Sequence, residues 1–149
     1  SCTHYREDYQ SLDYRNVRIE NNYFEGGSEG LYLNSSSTVI SGELNINNNV
    51  FVDSKLAGLY APIRIIGQWD VNLSGNKISG TQSSGYQIRL EGVKRGVVTH
   101  NIVKDGFRLL YADSESQTVV VTDNSFIGNT HRSIDNQAVH ALNENNRIL

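Results

Sequence analysis

The sequence predicts an all-β chain wound into stacked coils, a parallel β-helix or β-solenoid. One eight-residue pattern recurs five times along it, and a short alternating strand follows each copy. Apolar residues at helical spacing are not sustained anywhere, and the Asn-Gly signal of a tight hairpin is missing.

The recurring pattern is apolar-x-apolar-x-x-Asn-x-apolar. Its copies begin at Val17, Leu44, Val71, Gly96 and Val119, and they place asparagines at Asn22, Asn49, Asn76, Asn101 and Asn124. Successive asparagines lie 27, 27, 25 and 23 residues apart. A sixth copy, reaching Asn145-Asn146-Arg147-Ile148, is cut off by the C-terminus. The second strand of each coil reads Leu31-Tyr32-Leu33, Ile63-Arg64-Ile65, Ile88-Arg89-Leu90, Phe107-Arg108-Leu109 and Val139-His140-Ala141. Gly30, Gly58, Gly85 and Gly106 stand at or just before these strands, where the chain is expected to turn.

Alternation with period two sends successive side chains to opposite faces of a strand. A repeat in the twenties with several short strands therefore describes a coil that returns above itself, each rung about 4.8 Å from the next. Stacked this way, Val17, Leu44, Val71 and Val119 form one interior column, with Gly96 as its gap. Ile19, Ile46, Leu73, Val98 and Val121 form a second column, and Phe24, Phe51, Ile78, Val103 and Phe126 a third. The domain reading is residues 1–14 as an N-terminal lead-in or cap, in which Tyr5, Tyr9 and Tyr14 can cover the first coil. Residues 15–149 then make about five coils of 23–27 residues. With no methionine and no evident capping helix, the chain reads as a fragment of a longer β-helix protein.

These coils, with their repeated N-x-[FIV] corners, resemble the right-handed parallel β-helices of the pectin-lyase-like group over roughly residues 15 to 142. The resemblance implies architecture; many chemistries share the fold. Asparagine-rich coils without disulfides resemble most of all bacteriophage tailspike or tail-fibre segments. That likeness implies a homotrimer, an extracellular or virion location, and binding or cleavage of bacterial surface polysaccharide.

Composition narrows the function. A net charge of −3 argues against a nucleic-acid binder. No apolar run approaches eighteen residues, so no helical membrane insertion is expected. Cys2 is the single cysteine, which rules out a disulfide within the chain. His4, His100, His131 and His140 are scattered without metal-ligand spacing, and no phosphate-binding glycine loop occurs, so neither a metal nor a cofactor is implied.

The asparagine column reads as a hydrogen-bonded amide ladder and therefore as scaffold. Functional content is expected on the outward column of the second strand, read as Tyr32, Arg64, Arg89, Arg108 and His140. Like charges on adjacent rungs repel, with Glu91 the obvious compensating carboxylate. The column reads as a cationic and aromatic track for an acidic or hydroxyl-rich polysaccharide. Cleavage of a glycosidic bond would need paired carboxylates. Glu91 and Asp113 are the catalytic candidates, with Glu115 beside Asp113; Asp53 and Asp105 share a corner position two coils apart, with Gly80 between. The RIK-type and paired-aspartate motifs of polygalacturonases and the DPH-type motif of alginate epimerases are missing. A secreted polysaccharide lyase or hydrolase, and a non-catalytic structural or adhesive solenoid, stand as alternatives. Outward Val97 and Val120 predict a partner-facing surface.

Overall fold

The computed structural model describes residues 2–4, 16–27, 29–35, 42–53, 61–79, 85–131 and 133–149. Among them are eighteen strands and no helix. The first coil comprises β1 (Cys2–His4), β2 (Val17–Glu20) and β3 (Tyr23–Glu25), and the second β4 (Leu31–Asn34), β5 (Glu43–Asn47) and β6 (Val50–Val52). The third holds β7 (Ile63–Ile66), β8 (Asp70–Ser74) and β9 (Lys77–Ser79), and the fourth β10 (Tyr86–Glu91), β11 (Arg95–Thr99) and β12 (Ile102–Lys104). The fifth holds β13 (Arg108–Ala112), β14 (Thr118–Thr122) and β15 (Ser125–Ile127), and the sixth β16 (Ile134–Asn136), β17 (His140–Glu144) and β18 (Arg147–Ile148).

Every third strand pairs in parallel, giving three six-stranded sheets. Sheet A runs β1-β4-β7-β10-β13-β16, sheet B joins β2 to β17, and sheet C joins β3 to β18. The architecture is thus the expected parallel β-helix, with six rungs where about five coils were anticipated. Cys2–His4, inside the stretch read as a lead-in, supplies the first rung of sheet A by pairing with Leu31–Leu33. Tyr5, Tyr9, Tyr14, Gly58 and Gly80 lie outside the described residues.

The three interior columns pair in the register the repeat predicts. Val17, Leu44, Val71, Gly96, Val119 and Ala141 align across sheet B, as do Ile19, Ile46, Leu73, Val98 and Val121. In sheet C, Phe24 stacks on Phe51 with ring centroids 4.7 Å apart, and Ile78, Val103 and Phe126 continue the column. Most of these side chains are fully buried, and at about 25 cal/mol per Å² their removal from water drives the winding.

The asparagines do form a ladder, now of six members. Asn76 is typical: its Oδ1 accepts the backbone N–H of Asn49 at 3.0 Å and the Asn49 amide at 3.1 Å. Its Nδ2 donates to Asn101 Oδ1 at 2.9 Å and to the Ile46 carbonyl at 2.7 Å. The same arrangement passes to Asn124 and ends on Asn146. The residue before each asparagine is left-handed: Asn21, Asn48, Gly75, His100, Asp123 and Asn145 all have φ between 53° and 67°. Asparagine, aspartate and glycine tolerate that region best, which accounts for the asparagine-rich corners.

Gly30 and Gly106 do not take positive φ; they supply room. A Cβ on Gly30 would lie 2.6 Å from Phe51 Cδ1, and one on Gly106 would lie 2.6 Å from Gln87 Cδ. The left-handed glycines are others, among them Gly67 and Gly92. Asp53 and Asp105 also sit at left-handed corners (φ 54° and 55°), equivalent to Gly26 and Gly128, so the fold uses them as turn formers.

Two stability predictions follow from these contacts. Asn76→Ala removes the partner of the Asn49 N–H, the Asn76 bond to the Ile46 carbonyl, and one of the two bonds of the Asn49 amide; a loss of about 2–4 kcal/mol in denaturant unfolding is expected. Gly96→Ala fills the gap in its column, where a Cβ would make ordinary contacts at 3.4–3.6 Å with Val93, Val119 and Leu90. It should raise the midpoint of thermal unfolding by a few degrees, corresponding to roughly 0.5–1 kcal/mol.

Candidate functional site

The outward face of sheet A gathers most of the candidate residues. Tyr32, Arg64 and Arg89 occupy one column, as the sequence predicts. The next occupant, however, is Tyr111, followed by Asp135. Arg108 lies one column over, opposite Tyr86. His140 is on another sheet altogether, opposite Thr118 in sheet B, and is exposed.

These displacements share a physical cause. Sheet A strands carry two consecutive inward residues, Gln87-Ile88 in β10 and Leu109-Leu110 in β13, before alternation resumes. The triplet equivalent to Ile88-Arg89-Leu90 is therefore Leu110-Tyr111-Ala112, not Phe107-Arg108-Leu109. Likewise the last rung is Ile134-Asp135-Asn136, and Val139-His140-Ala141 already belongs to the entry into sheet B. Although Tyr32 in the second coil lies farther from Asn49, from the third coil on the distance to the next ladder asparagine distinguishes Tyr111 from Arg108. It is the same from Arg64 and Arg89, one residue longer from Tyr111 and four longer from Arg108.

The face that results is a lattice of guanidiniums, rings and carboxylates. Arg64 Cζ lies 5.4 Å from the centre of the Tyr32 ring, Arg89 Cζ 4.7 Å from that of Tyr111, and Arg108 Cζ 5.3 Å from that of Tyr86. Tyr86 and Tyr111 pack tilted, 5.2 Å apart, and the Tyr86 hydroxyl donates to Asp135 Oδ2 at 3.0 Å. Burial, helped by Asp135, raises the Tyr86 hydroxyl above its ordinary value of 10, so it stays a neutral donor.

Glu91 lies between the two arginines. Its Oε2 accepts from Arg64 Nη2 at 3.2 Å and its Oε1 from Arg89 Nε. Glu29 flanks Arg64 from the other side at 3.8 Å. Glu91 thus compensates the adjacent guanidiniums as anticipated, and Glu29, Tyr86, Tyr111 and Asp135 are members that the sequence reading missed. Asp113 Oδ1 accepts the Gly92 N–H, the Ser116 N–H and the Ser116 hydroxyl, at 2.8–3.0 Å. Glu91 and Asp113 both line a cleft of about 530 Å³ where sheet A turns into sheet B.

Sheet B carries a second outward feature. Val97 (42% exposed) and Leu142 (41%) flank the half-buried Val120 in one column, so the apolar stripe is longer than the sequence indicated. Arg95 and Asp70 form an exposed ion pair beside it.

The fold therefore defines a parallel β-helix protein with a flat, polar and aromatic sheet face. The chain matches the family model described as periplasmic copper-binding protein (NosD) over residues 4–147, and it belongs to that family. No curated protein and no solved structure matches it.

The family description names copper, which favours thiolate, thioether and imidazole ligands. The chain contains no methionine and one cysteine. His100 bonds through Nδ1 to the Thr99 hydroxyl at a corner, His131 stands edge-on against Phe107, and His140 begins β17. No three His, Cys, Asp or Glu side chains among the described residues converge to hold a metal ion. The described residues do not fit a copper centre.

Glu29 yields a pH prediction. Burial raises its carboxyl above the ordinary 4.5, opposed by the positive charge of Arg64 and reinforced by Glu91. Folding thus favours the protonated form: the stabilising contribution is complete below the unfolded value and is lost as pH rises through the folded one. Glu29→Gln, permanently neutral, should unfold at a higher temperature than the parent near pH 7. The gap should close as pH falls to about 4. A gap that widens on acidification would mean that pairing with Arg64 outweighs the cost of burial.

Proposed function

We propose that this chain is a glycan-binding β-helix whose sheet A face receives an extended polysaccharide. The observation that carries this reading is the column of two guanidiniums flanked by two phenol rings over four successive rungs, Tyr32, Arg64, Arg89 and Tyr111. Rungs lie about 4.8 Å apart, so an extended chain laid along the stack would meet these side chains at regular intervals. Planar guanidiniums offer paired donors to hydroxyls, and tyrosine rings offer apolar faces to sugar C–H groups.

Binding is favoured over cleavage. Hydrolysis needs one carboxyl free to give a proton and a second free to attack or activate water. Glu91 is engaged by two arginines and Asp113 by three hydrogen bonds within its turn. A tailspike-type trimer remains the finer form of this proposal, with the Val97–Val120–Leu142 stripe as the contact between copies. That stripe also favours a second reading, a structural or adhesive solenoid without a ligand. Work at a bacterial surface or in the periplasm suits either reading and agrees with the family's description.

Calorimetric titration with a panel of capsular, lipopolysaccharide and plant polysaccharides tests the proposal. Arg89→Ala should weaken binding about tenfold, or about 1.4 kcal/mol, while His140→Ala leaves it unchanged. Unaltered affinity in the Arg89 variant would remove the face from consideration, and new reducing ends would restore cleavage.

A further inference from the structure

The corner between sheets A and B carries two stacked glycines, of which Gly92 faces open space while Gly67 closely approaches Ser35, whose carbonyl oxygen a Cβ there would strike. Gly67 and Gly92 stack on adjacent rungs with φ of 68° and 61°, and a Cβ on Gly92 would meet only Gly67, at 3.9 Å. The floor of the 530 Å³ cleft is therefore bare backbone, and its walls carry Asn34, Trp69, Glu91, Lys94, Asp113 and Glu115. Trp69 is the single tryptophan of the chain and is 38% exposed. Its backbone is fixed, since its carbonyl accepts the Arg95 N–H at 2.7 Å.

Charge decides what such a cleft can take. Arg64 and Arg89, the cations nearest it on the sheet A face, already share Glu91 and Glu29. Among the described residues Lys94 is the one cation lining the cleft, against Asp113 and Glu115, with Glu91 already shared by the two arginines. An anionic ligand would meet a net negative wall. A neutral ring would find an aromatic face, carboxylate and amide acceptors, and an ammonium donor.

Resting on the glycan-binding reading above, we infer that this corner cleft is a subsite for an uncharged, hydroxyl-rich sugar ring stacked on Trp69. The sheet A track then guides a neutral polysaccharide rather than the polyanion that three arginines in a row would indicate.

Because Trp69 is the chain's only tryptophan, its emission reports directly on the subsite. The full chain is titrated with uncharged malto-, cello- and manno-oligosaccharides and with oligogalacturonate, following emission and heat at low and high salt. The inference expects a neutral oligosaccharide to shift Trp69 emission, with an affinity that changes less than twofold with salt. Trp69→Ala should weaken that affinity at least tenfold by calorimetry, with Trp69→Phe retaining most of it and confirming a folded chain. Neutral binding that leaves the emission and the Trp69→Ala affinity unchanged would overturn the subsite while sparing the sheet A track. Binding of oligogalacturonate alone, falling steeply with salt, would overturn the neutral class. Failure of every glycan to bind would overturn the function reading and this inference with it.

Discussion

Each time the chain leaves sheet B for sheet C it turns through a left-handed residue, and in the four inner coils the asparagine that follows buries its amide inside the corner. Unpaired, that amide and the nearby backbone groups would each cost about 1–3 kcal/mol. Stacked, Asn49, Asn76, Asn101 and Asn124 make every donor and acceptor good, although they are at most 1% exposed. A slip of one residue would break these bonds and also turn every strand inside out. Polar stack and apolar columns therefore enforce one register, and the positions of the outward residues follow from it.

The register also fixes the outward face of sheet A. Its outward side chains need not fill a core, yet they are not independent of one another. Arginines lie over tyrosine rings, and Glu91 ties two rungs together at the mouth of the cleft. Such a surface is stiff before any ligand arrives, which lowers the ordering cost of binding. It is also charge-balanced locally, so on the glycan-binding proposal shape and hydroxyl geometry would decide selectivity more than field strength.

Much of this was legible in the sequence, for an identifiable reason. The interior columns of sheets B and C sit within a few residues of the ladder asparagine, so counting from Asn76 or Asn101 places Leu73 or Val103 without ambiguity. Sheet A is farther from that landmark and is reached through stretches of varying length. There the double inward pairs Gln87-Ile88 and Leu109-Leu110 break strict alternation, and pattern matching settled on Arg108 where the register puts Tyr111. The charge compensation of the track was only partly legible, through Glu91, for a related reason. Glu29 reaches Arg64 from a turn ahead of β4, a contact that no within-strand pattern encodes. The cleft at Trp69 left still less trace, because the glycines on its floor carry no side chain.

The amide stack has a polarity. Every bond in it runs from the Nδ2 of one asparagine to the Oδ1 of the next coil toward the C-terminus, so each coil presents an acceptor behind and a donor ahead. A coil carrying the corner asparagine is therefore interchangeable as a connector, whatever the length of its loops, and the spacing indeed shrinks from 27 to 22 residues along the chain. Such a molecule can lengthen by copying a coil and shorten by losing one, with the joint remaining bonded in either case. The number of rungs, and with it the length of surface offered to a ligand, becomes a quantity that gene duplication can set one step at a time.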